Sequence, residues 1–244
     1  MYDNELSTLD KELIYLTGKP IYLDGVPICP ISLNEISEMG YVYYMAHLKY
    51  ICADVSDILN NSEGKYDNSY LYPAFIYRFK NSKEHRELLF SSISMICKED
   101  VEFLPESDAF KIGDGILGAH NFIEFQAIVK ERNGISKVNE AIDNPADAKA
   151  AALLARKKEL EKKVEKAKQD DDSGIGLTDL ISTLAVGLKM PISEICEYDM
   201  YQFNNQLQRL KIFKDYDTDI QALLAGAEKI DLKHWMSKID SSNG

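Results

Sequence analysis

The sequence predicts a mainly α fold with one or two small β-hairpins, an α+β arrangement, on three observations. Apolar residues recur at three- and four-residue steps through most of the chain, which is the period of a helix face. Ser, Thr, Asn or Asp stands before many of these runs, where a side-chain oxygen can accept from the unpaired N–H groups of a first turn. Two short β-prone runs bracket turn residues in the N-terminal half, at Asp24-Gly25 and at Pro105-Glu106-Ser107-Asp108. Together these divide the chain into an N-terminal α+β domain (1–143), a charged connecting helix and linker (144–174) and a C-terminal helical domain (175–244).

In chain order, Leu6, Leu9, Leu13 and Leu16 predict a short amphipathic helix with the leucines as its inner face, stopped by Thr17-Gly18-Lys19-Pro20. Ile21-Tyr22-Leu23 and Val26-Pro27-Ile28-Cys29 flank Asp24-Gly25 as a hairpin. Pro27 and Pro30 make its second arm an edge strand or only partly paired. Ser32-Leu33-Asn34-Glu35 is a capping box. The helix it starts carries Ile36, Met39, Tyr43, Tyr44, Leu48 and Ile51, with a further turn at 56–59. A polar loop spans 60–69, and Tyr70–Tyr77 is ambiguous between helix and strand, Pro73 favouring a break. Ser82 caps a helix with Leu89, Ile93 and Ile96 inward. Val101–Phe103 and Phe110–Ile112 form the second hairpin, and Asn121 with Glu124 caps a helix bearing Phe122, Phe125, Ile128 and Val129.

Ala146–Gln169 holds no Gly or Pro and is built almost wholly of strong helix formers. Ala150, Leu153, Leu160, Val164 and Ala167 draw a narrow apolar stripe along it, fitting either a solvated connecting helix or an arm that pairs with another helix. Beyond it, Thr178 caps 179–186, and Pro191 and Ser193 open a short turn. Met200, Phe203, Leu207, Leu210 and Lys214 mark a helix over 201–214, and 219–225 is a further helix ending at Gly226. Asp231 caps a last helix with Leu232, Trp235, Met236 and Ile239 on one side.

Formal charge is −12. Residues 1–145 carry 13 basic and 23 acidic side chains, 146–169 carry 8 and 4, and 170–244 carry 7 and 13. Phosphate contacts need clustered Lys and Arg, so this balance argues against nucleic acid and anionic membrane as partners. No signal-like apolar segment and no apolar run of about 18 residues is present, so the expectation is a soluble protein made in a cytoplasm. Cys29, Cys52, Cys97 and Cys196 are far apart, with no CxxC, and read as buried free thiols.

Few residues point to chemistry. Gly113-Asp114-Gly115-Ile116-Leu117-Gly118 matches GxGxxG, which cradles a pyrophosphate only where a strand precedes it and a helix opens at its end. Its alternatives are a nucleotide-binding loop or a plain glycine-rich connection. His47, His85, His120 and His234 stand in no metal-ligand spacing, and Asp170–Asp172 lacks the spacing of a calcium loop. No cofactor and no metal is expected, and no nucleophile–base pattern marks an enzyme. The fourteen Tyr, concentrated in Gly40–Met45 and in Tyr66–Tyr77, fit either an interface or a core whose hydroxyls reach the surface.

Met200-Tyr201-Gln202-Phe203, Leu207-Gln208-Arg209-Leu210, Gln221–Ala227 and Lys233-His234-Trp235-Met236 form one pattern at the C-terminal end. Pro20-Ile21-Tyr22-Leu23 and Pro30–Ile36 with Gly40 form another at the opening. Both resemble tail-morphogenesis proteins of phages and prophages of Gram-positive bacteria. The resemblance covers about a third of the chain and includes no catalytic motif. It implies a non-enzymatic tail assembly factor, chaperone-like, binding other tail proteins such as the tape measure protein in the host bacterial cytoplasm. The alternative is a structural component of the virion, in tail or baseplate. A nucleotide-binding enzyme using Gly113–Gly118 ranks below these, and an acidic inhibitor of host defence last. The surfaces expected to meet a partner are Tyr43 and Tyr44, then Phe203, Leu207, Trp235 and Met236, laid against a helix.

Overall fold

A computed structural model describes residues 7–60, 66–135, 176–226, 232, 234–237 and 239. The connecting helix predicted over Ala146–Gln169 lies outside the described residues, as do Leu6, Asp170–Asp172 and Asp231.

Helix α1 (Thr8–Leu16) starts on Ser7, whose Oγ accepts from Asp10 N at 3.1 Å. Its position is as predicted, but its inner face is not. Tyr15 is buried, while Leu9 is 73 % and Leu13 58 % exposed. The large ring of Tyr15 outcompetes the leucine stripe because it meets Tyr201 at 4.9 Å and the guanidinium of Arg132 at 5.0 Å.

Strands β1 (Ile21–Leu23) and β2 (Val26–Ile28) pair antiparallel, Leu23 opposite Val26. Asp24 and Gly25 both take positive φ, 49° and 81°, the two-residue turn whose twist matches a hairpin. The capping box holds as predicted: Ser32 N donates to Glu35 Oε2 at 2.8 Å and Glu35 N to Ser32 Oγ at 3.2 Å. The helix it starts, α2 (Leu33–Met39), ends at Gly40, and α3 (Tyr41–Ile51) begins on the far side of it. Gly40 sits at φ +92°, so the apolar period that runs through it in sequence bends in space.

Helix α4 (Val55–Leu59) supplies the expected extra turn, and a short 3₁₀ turn at Asn68–Tyr70 leads into α5 (Leu71–Asn81). Pro73 does not break α5. It is the third residue, inside the first turn, where N–H groups have no intrahelical acceptor to lose. Helix α6 (Lys83–Cys97) buries Leu89, Ile93 and Ile96 as predicted. The second hairpin, β3 (Val101–Leu104) with β4 (Ala109–Ile112), gains a third strand, β5 (Gly115–Leu117), in the order β3-β4-β5. Helix α7 (Phe122–Arg132) follows.

After residue 176 come α8 (Leu177–Leu188), α9 (Ile192–Ile195) and α10 (Met200–Leu224). The two helices predicted at 201–214 and 219–225 are one continuous helix of 25 residues, roughly 37 Å long. Asp199 caps it: Oδ1 accepts from Gln202 N at 2.9 Å, and Asp199 N donates back to Gln202 Oε1 at 3.0 Å.

One buried cluster takes residues from both sides of the 136–175 segment, joining Phe75, Phe110, Phe122 and Phe125 to Leu184, Ile195 and Phe203. Polar contacts fasten the same seam. Arg132 Nη1 lies 3.4 Å from Asp199 Oδ2, both side chains 3 % exposed, and Arg132 Nη2 donates to Lys19 O at 2.6 Å. Asn34 Nδ2 donates to Glu197 Oε1 at 2.6 Å, and Gln202 Nε2 to Leu16 O at 3.0 Å. Burial draws Arg132 below and Asp199 above their ordinary pKa values, each opposed by the other's charge. No helix among the described residues is long and apolar enough to cross a membrane.

Candidate interaction surface

The glycine-rich stretch lacks the strand–loop–helix geometry of the dinucleotide pattern. Gly113-Asp114 is the two-residue turn between β4 and β5, with Ile112 opposite Gly115, so the chain reverses into a strand where the dinucleotide pattern needs a helix. A Cβ on Gly115 would stand 2.3 Å from Val26 N and 2.4 Å from Gly25 C. Its bare Cα lets the three-stranded sheet abut the first hairpin. Asn121 secures that junction. It precedes α7 as predicted but makes no side-chain cap; its Oδ1 accepts from Gly118 N at 2.9 Å, and its Nδ2 donates to Ile116 O and to Asp24 Oδ2.

Among the described residues no cluster of His, Cys, Asp and Glu suits a metal ion. All four Cys are free, Cys52 and Cys97 buried and Cys29 and Cys196 partly so. Burial raises the Cys29 and Cys97 thiols and pushes Cys52 up to about 12, so these three are held protonated.

Two of the six residues expected to meet a partner are interior, which corrects that expectation. Tyr44 is 1 % exposed, and its hydroxyl donates to Asn133 Oδ1 at 2.5 Å. Phe203 is equally buried, facing the core from the first turn of α10. Both lie on the side of their helices that the apolar period selects, and that side faces the protein's own core. Leu207, one turn on from Phe203, packs partly buried against the same core.

Tyr43, Trp235 and Met236 are outside. The Tyr43 ring lies tilted against His47 with ring centres 3.9 Å apart, and His47 Nδ1 lies 2.9 Å from Tyr43 O. With Met39, Phe90, Met95 and Val101, Tyr43 lines an open groove where the Gly40 bend crosses α6 and β3. Tyr41 and Val42 stand exposed beside it.

Trp235 and Met236 belong to a larger surface. The proximal stripe of α10, Phe203, Leu207 and Leu210, faces the core and α8. Farther along, Phe213, Tyr216, Ile220 and Leu223 draw a second stripe at three- and four-residue steps, on another side of the helix. Beyond Gly226, itself at φ +100°, the described residues 234–237 lie against this helix. Arg209 Nη1 donates to Trp235 O at 3.1 Å and to Ser237 O at 2.8 Å. The Trp235 ring stands edge-on to Phe213, and the His234 ring edge-on to Tyr216. Trp235–Ser237 form a turn and bend, not the predicted helix. These residues leave the stripe half covered: Leu224 is 83 % and Met236 68 % exposed, with Phe213, Leu223, Leu232 and Trp235 open beside them. Phe213 touches Trp235, and Leu223 and Leu224 follow about three turns farther along the same helix, so exposed apolar side chains gather along this end of α10. Sequence reasoning missed Phe213, Leu223 and Leu224 because the pattern 203-207-210-214 absorbed the helix; the 3-4-3 spacing from Phe213 to Leu223 is the signal that finds the first two, and Leu224 follows them with none.

Residues 166–240 match the family model described as the YomV second domain. That family is associated with phages and prophages, YomV itself coming from a Bacillus prophage. The matched stretch takes in α8, α9, α10 and residues 234–237, hence all of these exposed apolar side chains. The chain matches no curated protein and no solved structure.

Proposed function

We propose that this chain is a phage-encoded, non-enzymatic assembly factor of the tail that works by presenting apolar helical surfaces to other tail proteins, the tape measure protein among them. One observation carries the reading. The stretch similar to a phage-associated domain is also the stretch whose longest helix leaves its distal stripe open, with Phe213, Leu223, Leu224, Trp235 and Met236 exposed together. Apolar side chains left exposed along a helix suit helix-in-groove recognition, in which a partner's apolar face completes a surface that its owner leaves unfinished. The fit of the glycine-rich turn to sheet packing takes support away from a nucleotide site there.

Mass spectrometry of purified particles beside the infected-cell lysate tests the proposal. An assembly factor is abundant in the lysate, absent from particles, and brings tail proteins with it when captured. Presence in particles at fixed stoichiometry makes it a structural part of the virion instead. Capture without any tail protein, with unchanged particle yield on deletion, overturns both.

A further inference from the structure

We propose that the distal half of α10 docks a basic amphipathic helix belonging to a partner protein. The inference rests on the assembly-factor reading above and names the chemistry of its partner. In heptad terms Phe213, Tyr216, Ile220 and Leu223 occupy the a and d positions. The positions that flank such a seam are e and g; in its middle they hold Asp217 and Asp219, while Ile212 at g and Leu224 at e continue the apolar surface at its two ends. The basic side chains, Lys211 and Lys214, fall at f and b, behind the seam. Trp235 and His234 lie against Phe213 and Tyr216, so the open part of the stripe is its distal end, where one carboxylate stands on each side; the complement of that part is an apolar stripe bordered by Lys or Arg. A second copy of this chain would set like charges against each other along the same borders, which costs stability.

The outer face of α1 repeats the arrangement independently. Leu9, Leu13 and Leu16 form the exposed stripe, Asp10 and Glu12 stand at the flanking positions, and Lys11 reaches the surface carboxylate of Glu124 on α7, 3.9 Å away. Two helices far apart in sequence thus present the same acid-bordered leucine-type seam.

The test uses the full chain and two synthetic three-heptad peptides with identical leucine seams, one bordered by lysine and one by glutamate. Fluorescence anisotropy should show the lysine peptide binding at least tenfold more tightly. Asp217→Lys with Asp219→Lys should invert that preference. Ile220→Gln with Leu223→Gln should lower the lysine peptide's affinity at least tenfold, with helix content unchanged by circular dichroism. Equal binding of the two peptides overturns the proposal, as does a lysine peptide indifferent to both double variants, which places its binding away from α10, on α1 or on the acidic protein at large. Sedimentation showing self-association that Ile220→Gln/Leu223→Gln abolishes makes a second copy the occupant. A tenfold gain in peptide affinity on excising residues 146–169 makes the chain's own basic stretch the occupant. If the peptides fail while the chain still captures tail proteins from lysate, the partner chemistry is wrong and the assembly reading stands.

Discussion

Replacing Gly115 by alanine tests how the two small sheets are joined. The added methyl would meet Val26 N at 2.3 Å, Gly25 C at 2.4 Å and Asp24 O at 2.8 Å. Ordinary heavy-atom contacts sit near 3.5 Å, so the sheets must part by about 1 Å. All three atoms are backbone in a hairpin fixed by its own ladder, so no side chain can swing aside. Overpacking ordinarily costs about 1–3 kcal/mol, and a backbone obstacle places this site at about 3 kcal/mol or more. Gly113, two residues earlier, is the control. Its φ of +54° disfavours a side chain, but a Cβ there meets nothing closer than Glu99 Cδ at 3.9 Å. Gly113→Ala should therefore cost about 1 kcal/mol. At 2–4 °C per kcal/mol for a chain of roughly this length, the melting temperature should fall by about 3 °C for Gly113→Ala and roughly 10 °C for Gly115→Ala. Thermal and urea unfolding followed by circular dichroism read both values. A Gly115→Ala variant as stable as Gly113→Ala refutes the backbone-contact argument, and would return Gly115 to the candidates for a ligand-facing role.

Three further outcomes follow from burial. Asp199→Ala removes a helix cap and leaves the Arg132 guanidinium buried without its carboxylate, so urea unfolding should show a loss of about 3–5 kcal/mol; pairing Asp199→Leu with Arg132→Met should recover most of it, and a double variant as unstable as Asp199→Ala would show that the charge pair is not the cause. Tyr44→Phe should cost about 1 kcal/mol by orphaning Asn133, with no change in capture of tail proteins; weakened capture at unchanged stability would put Tyr44 at an interface after all. Leu13→Glu should shift stability by less than about 0.5 kcal/mol, since the leucine already faces solvent; a loss above about 2 kcal/mol would show it buried.

What could be read from the sequence was what is decided within a few residues. The Asp24-Gly25 turn needs two positive φ values, and the Ser32–Glu35 box needs two reciprocal hydrogen bonds three residues apart; both are local and both formed. Errors arose where tertiary contacts chose between local options. Leucine spacing correctly made α1 a helix, but which side faced in depended on Tyr201 and Arg132, more than a hundred residues away. Pro73 signals a break unless the helix happens to start just before it. Gly40 interrupts a period that is otherwise unbroken on paper. For the candidate surface, Trp235 and Met236 were legible as apolar residues near the chain's end. Tyr44 and Phe203 were misassigned because an interface stripe and a core stripe have the same period. The Arg132–Asp199 pair, separated by 67 residues, carried no sequence signal at all.

The place where Gly25 meets Gly115 also bears on the order in which the chain assembles. Each hairpin closes over a handful of residues, whereas this contact spans ninety positions and carries the larger loop-closure cost. Interactions made after the rate-limiting step leave the folding rate alone and act on escape from the folded state. The folding and unfolding rates of Gly115→Ala read on which side of that step the contact forms: faster unfolding at an unchanged folding rate makes these two glycines the determinant of how long a folded molecule lasts.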